Sequence, residues 1–273
     1  MIANARMYSV TPEARALWRA LLEGVVRRAG AGIEVIDYPA PAPLADLWAR
    51  SDKAAVFMCG LPYSLTPSPQ PDLVAAPVPA GPRYAGQPRY WSELVVRADS
   101  PFRTVEDTFG HRIAFTASES QSGFGAALYF LMDKKGPNPL YREIVGPRVT
   151  PMGALTAVTE GLAEIAPIDS YAFDLMKRYV PDLAAKVHVV ASTEPTPIPP
   201  LTASPGQGKL LSDAFLGAHT DPAIREIMDG LLLERFAPAD AQSYISLKQR
   251  FETATGFWRE HKLAEIAPVE FRL

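Results

Sequence analysis

IAFTASESQSGFGAALYFLM, residues 113–132, joins two kinds of local pattern. Ile113, Ala114 and Phe115 form a short apolar run of the kind that makes a buried strand. A small polar loop follows, Ser118, Glu119, Ser120, Gln121, Ser122 and Gly123. Phe124, Ala127, Leu128, Leu131 and Met132 then recur at the spacing of one helical face. Lys134 and Lys135 in a last turn, Gly136 as a left-handed cap and Pro137 beyond it predict the helix stop. The pattern therefore predicts a strand that delivers a serine-rich turn onto a helix N-terminus. The first N–H groups of a helix lack internal partners, and its dipole is positive there. Hydroxyls and N–H groups in that position favour an oxyanion such as phosphate, phosphonate, sulfate or carboxylate. Gly123 permits close backbone approach. A serine that only caps its helix is the alternative reading of the same residues.

The chain has 273 residues, about half of them apolar (48%), and a formal charge of −3. That length suffices for one large core or two lobes. No basic footprint is present, so nucleic acid is not an expected partner. The 27 prolines cluster at 39–43, 62–88 and 195–205, which predicts rigid connections. The single cysteine, Cys59, excludes an internal disulfide and a cysteine-based zinc cluster. Its neighbours Phe57 and Met58 predict a buried thiol. No apolar run is long enough to span a membrane. The start, MIANARMYSVTPE, lacks the features of an export signal. The expected location is the cytoplasm as sequenced, or the periplasm for a processed form.

Taken in order, 3–10 read as a first strand ending near Tyr8. Thr11, Pro12 and Glu13 then open a helix whose face is Ala14, Leu17, Trp18, Leu21, Leu22 and Val25. Strands are expected at 33–38 and 54–59. The loop carrying Tyr63 follows the second, where open α/β sheets place ligand groups. A strand at 94–96, the central stretch, a helix opened by Thr150 and Pro151, a strand ending in Asp169, a helix over 170–179 and a strand over 187–191 come next. From Leu210 the chain reads as mostly helical. This alternation predicts α/β layers. Extended crossing points near 92–97 and 189–195 divide it into lobe 1 (1–95 and 194–273) and lobe 2 (96–193). A cleft between the lobes is the expected ligand site.

Tyr90-Trp91-Ser92, Val95-Val96, Asp99-Ser100-Pro101 and Ser120-Gln121-Ser122-Gly123 follow one another in an order and spacing that resembles the phosphate/phosphite/phosphonate-type substrate-binding proteins of ABC importers. Glu160-Gly161, Ile168-Asp169 and Thr193-Glu194-Pro195-Thr196-Pro197 extend the likeness over nearly the whole chain. The resemblance implies a type II periplasmic-binding-protein architecture, α/β in class, with two crossover strands and closure onto a bound anion. It implies a small oxyanion ligand and an ABC permease or another protein as partner. Ser120, Gln121 and Ser122 fall where the family has Ser, Thr and Ser, so Gln121 exchanges a hydroxyl for an amide. Tyr90 matches a family tyrosine whose hydroxyl reaches the anion; an aromatic packed at the hinge is the other reading. Tyr8 and Tyr63 are placed as cleft walls by position. Asp169 either accepts from a ligand hydroxyl or caps the helix that follows.

The departures bear on the ligand. Two carboxylates that hold the ammonium of aminoethylphosphonate in the family fall at Tyr171 and Pro199, and a family histidine falls at Pro151. Without them an ammonium has no paired charge and a high desolvation cost, so aminoethylphosphonate is not the expected ligand. No nucleophile elbow, phosphate-binding P-loop or dinucleotide fingerprint is present. His111, His188, His219 and His261 are scattered. No cofactor, metal or catalytic residue is expected. Glu119 reads as a solvated loop acid. The rival expectation is a cytosolic enzyme or ligand sensor on the same fold, similar to those in thiamine-precursor synthesis.

Overall fold

The computed structural model describes residues 1–273. Contacts group them into two units, Met1–Tyr90 with Pro197–Ile245, and Trp91–Thr196 with Ser246–Leu273.

The first unit is built on a six-stranded sheet in the order Leu233–Ala237, Asp72–Pro79, Leu201–Ala203, Lys53–Phe57, Ile2–Asn4 and Glu34–Val35. Ile2–Asn4 runs parallel to both of its neighbours. Leu201–Ala203 lies antiparallel to Lys53–Phe57 and Asp72–Pro79. Helix Pro12–Ala29 forms as its start and stop residues predict. Thr11 Oγ1 accepts from the Ala14 N–H at 3.2 Å, and Gly30 ends it at φ +63°. Its buried face includes Ala14, Trp18, Leu21, Leu22 and Val25. The first strand is shorter than the apolar pattern predicts. The Asn4 side chain accepts the Arg6 N–H at 2.9 Å, so the chain leaves the ladder and Arg6–Tyr8 forms a 3₁₀ turn. The region after Leu210 is not all helix either. Leu232 adopts φ +55°, and Leu233–Ala237 becomes an edge strand.

The second unit carries the sheet Val187–Ser192, Ser92–Arg97, Ile165–Asp169, Arg112–Ala114, Tyr141–Val145, Ala264–Ile266. Ser92–Arg97 is antiparallel to both neighbours, while Arg112–Ala114 is parallel to Ile165–Asp169. Leu94, Val96, Ile113, Phe115, Phe124 and Leu128 form much of its core. Helix Ala241–His261 supplies the rest. Trp258 is buried there and donates its indole N–H to the Leu128 carbonyl at 2.9 Å. For that reason Ser246–Leu273 groups with the second unit and not, as the sequence boundaries have it, with the first.

Glu164 and Arg112 tie two strands of this sheet. Glu164 Oε2 accepts the Arg112 main-chain N–H at 2.8 Å, and Oε1 accepts from Nη2 at 2.7 Å. Burial pushes the Glu164 carboxyl up, but the bonds from Arg112 outweigh it and hold the group below the usual range. The folded state therefore gains stability from this carboxylate above its unfolded pKa, near 4.3. That gain is lost as pH falls through the lower folded value. Glu164→Gln is expected to cost about 1–2 kcal/mol at neutral pH. In urea unfolding the gap between variant and parent should narrow below about pH 4; an equal gap at pH 7 and pH 3 would assign the loss to packing alone.

Candidate functional site

The polar segment after the strand Arg112–Ala114 folds differently from the expected open loop. Gln121–Gly125 is already helical, a wide π turn that runs directly into the α-helix Ala126–Met132. The Gly125 N–H reaches back five residues to the Ser120 carbonyl at 2.9 Å, and the Ala126 N–H bonds Gln121 O. Ser120 stands just outside as the cap, its Oγ accepting the Gly123 N–H at 3.0 Å. A hydroxyl that accepts one bond still has its own proton to donate. Capping and ligand binding are thus compatible roles for Ser120. Wide turns of this kind open the regular hydrogen-bond ladder and recur at functional sites.

Ser92 fixes this turn to the sheet. Its Oγ donates to the Ser122 carbonyl at 2.7 Å, and its Cα partner in the adjacent strand is Asp169. Ser92 in turn exchanges hydrogen bonds with Thr193, whose Oγ1 accepts the Ser92 N–H at 3.0 Å. Asp169 Oδ1 accepts the N–H groups of Tyr171 and Ala172, both at 2.9 Å. It therefore caps the helix Ser170–Tyr179, one of the two roles open from the sequence.

Ser120, Gln121, Ser122, Gly123, Asp169 and Tyr171 all belong to the second unit. Ser122 and Asp169 are joined through Ser92, while Tyr171 is wholly buried. Tyr8, Tyr63 and Tyr90 belong to the first unit. Tyr8 stacks with Trp18 and meets Phe57 edge-on at 5.2 Å, so its ring is a core group. Tyr63 lies edge-on to Tyr244 at 5.4 Å, and burial, with Asp72 nearby, pushes its phenol up. Tyr90 is fully buried. No group of three or more side chains is placed to hold a metal ion. Sequence reading assigns no site role to Ser92, which enters only as part of the motif Tyr90-Trp91-Ser92, or to Thr116, a single hydroxyl after the apolar run 113–115. Thr116 Oγ1 is buried under Gly123 with no hydrogen-bond partner.

The family model for the periplasmic substrate-binding proteins of phosphonate ABC transporters matches residues 55–244. The chain belongs to this family. The family consists of binding proteins, so the chain is a solute-binding protein of the phosphonate type and not an enzyme. No curated protein matches it. Among solved structures, the binding protein component of an ABC phosphonate transporter from Pseudomonas aeruginosa superposes with a TM-score of 0.78 at 15% identity. It covers 96% of this chain and 89% of that one. PhnD1 from Prochlorococcus marinus (MIT 9301), in complex with methylphosphonate, gives a TM-score of 0.74 at 14% identity, over 92% and 96% of the two chains. A histidine kinase sensor domain with similarity to periplasmic binding proteins gives 0.55 at 13% identity, over 87% and 96%. At such identities the likeness is one of fold, the type II periplasmic-binding architecture of two sheet-based lobes. No helix of this binding protein is long and apolar enough to cross a membrane.

A Cβ added at Gly123 would lie 1.9 Å from Thr116 Oγ1 and 2.9 Å from Ser120 Oγ. Gly123→Ala is expected to lose about 1–3 kcal/mol through overpacking, read as a lower urea midpoint. Thr116→Val should be within about 1 kcal/mol of the parent, since its hydroxyl leaves no bond unmade. Adding Thr116→Ala to Gly123→Ala should recover part of the loss; no recovery would locate the strain elsewhere.

Proposed function

We propose that this phosphonate-type binding protein takes a small phosphonate-like oxyanion at the turn Gln121–Gly125. Ser120 donates its hydroxyl proton to the ligand while keeping the Gly123 N–H as acceptor. Ser122 and the leading N–H groups of the turn supply further donors, aided by the positive end of the helix dipole. The observation that supports this reading most is the Ser120 contact at 3.0 Å, which orients the oxygen and leaves its proton available. The family description and the methylphosphonate held by the Prochlorococcus marinus protein agree with it. Charge-assisted hydrogen bonds would carry most of the affinity.

Selectivity rests on the family resemblance. By that resemblance the two carboxylates that would pair with an ammonium are replaced by Tyr171 and Pro199, and Asp169 Oδ1 is engaged in its helix cap. The preferred ligand therefore carries no ammonium group: methylphosphonate, phosphite or phosphate ahead of aminoethylphosphonate. The family's place in ABC transport supports a permease as the protein partner.

Methylphosphonate at about a hundred times its Kd should stabilise the protein by about 2.7 kcal/mol. This is measurable as a rise in melting temperature. Ser120→Ala combined with Ser122→Ala should abolish the rise while the circular dichroism spectrum stays native, with a cap loss of about 1 kcal/mol. An undiminished rise in the double variant would remove this turn from the site, and tight binding of aminoethylphosphonate would overturn the selectivity argument.

A further inference from the structure

A second concave site lies on the second unit, on the side of helix Ala126–Met132 that faces the helix Ala241–His261. It is a pocket of about 260 Å³ whose walls include Gln121, Tyr129, Phe130, Lys134, Arg250 and Phe251. At roughly 30 Å³ per water it holds the volume of about nine water molecules, enough for one small ring with a polar substituent.

Its charges are arranged by depth. Arg250 and Lys134 are the withdrawn groups, at 33% and 26% exposure. Each rests on an aromatic face: the Arg250 guanidinium 5.2 Å from the Tyr129 ring centre, and Lys134 Nζ 4.8 Å from that of Phe130. Their acidic partners are the more exposed members of each pair, although Glu194 and a further acid, Asp133, also border the pocket. Glu194, 3.0 Å from Arg250, is 74% exposed, and Glu106, 3.0 Å from Lys134, is 46% exposed. Exposed ion pairs of this kind are weak, so Glu194 competes poorly with an incoming anion. A guanidinium presents a planar fork that matches a carboxylate with two parallel bonds. The aromatic walls favour a ring over an inorganic ion.

We propose that this pocket binds a small aromatic carboxylate, its carboxylate on Arg250 and its ring against the aromatic walls. The pocket adjoins the oxyanion turn, whose Gln121 and Gly125 are among its walls, but the groups assigned to the carboxylate and the ring lie outside that turn, and the proposal does not depend on the phosphonate reading.

Benzoate is the probe. Titrated into the full chain and followed by saturation-transfer NMR and calorimetry, it should bind saturably at one site. Benzamide, which has the same shape without the charge, and acetate, which has the charge without the ring, should each bind at least about tenfold more weakly. Arg250→Gln should lower benzoate affinity by a similar factor, with Arg250→Lys intermediate. Benzoate binding should survive in Ser120→Ala with Ser122→Ala and in excess methylphosphonate. Any of three results would overturn the proposal: no saturable benzoate binding, equal binding of benzamide, or displacement of benzoate by methylphosphonate. The benzamide comparison needs no substitution, so it stands even if an Arg250 variant folds poorly.

Discussion

One serine, Ser120, organises the local chemistry of this protein. Ser120 Oγ takes the Gly123 N–H, and its own carbonyl takes the Gly125 N–H. Together these bonds open the first turn wider than an α-helix and hold it in one shape. Each is worth only about 1 kcal/mol. Yet the backbone at 121–125 is buried, where an unmade bond costs more than a made one contributes. Ser92 adds the third constraint by holding the Ser122 carbonyl to the sheet. The turn is therefore fixed before any ligand arrives, and a donor array that is already ordered loses little entropy on binding.

Much of this was legible locally. Thr11 with Pro12, Thr150 with Pro151, and Asp169 ahead of Ser170 each form the helix start their side chains predict, with the capping bonds in place. Such signals act over three or four residues, so tertiary packing seldom overrides them. The order of strands and helices likewise announced α/β layers, and two separate sheets are present. Signals that depend on distant partners were harder to read. Gly136 has the composition of a left-handed cap, but helix Ala126–Met132 ends earlier, and a Cβ at Gly136 would meet Leu140 and Phe109 within 2.6 Å. Its smallness serves packing, not a turn.

The site was legible in part for the same reason. The serine turn announces itself by composition. Its hidden supports do not, because nothing in the local sequence around Ser92 or Thr116 marks its hydroxyl, and each gains meaning only when the fold sets it beside Ser122 or Gly123. Tyr8 shows the converse: an aromatic near a strand end reads as a wall, and the fold makes it core against Trp18 and Phe57. The sequence boundaries place the C-terminal helix in lobe 1, but its buried residues divide: Tyr244 near its start bonds the Ile198 carbonyl, while Trp258 near its end packs in the second core.

The burial of the one cysteine has a practical consequence. Cys59 lies just past the strand Lys53–Phe57 with 4% of its surface exposed, and no disulfide constrains the chain. Its thiol is shielded from alkylating reagents in the folded state. A maleimide dye would thus react selectively at a cysteine introduced on the surface, without prior removal of the native one. The fold comes ready for single-site fluorescent labelling.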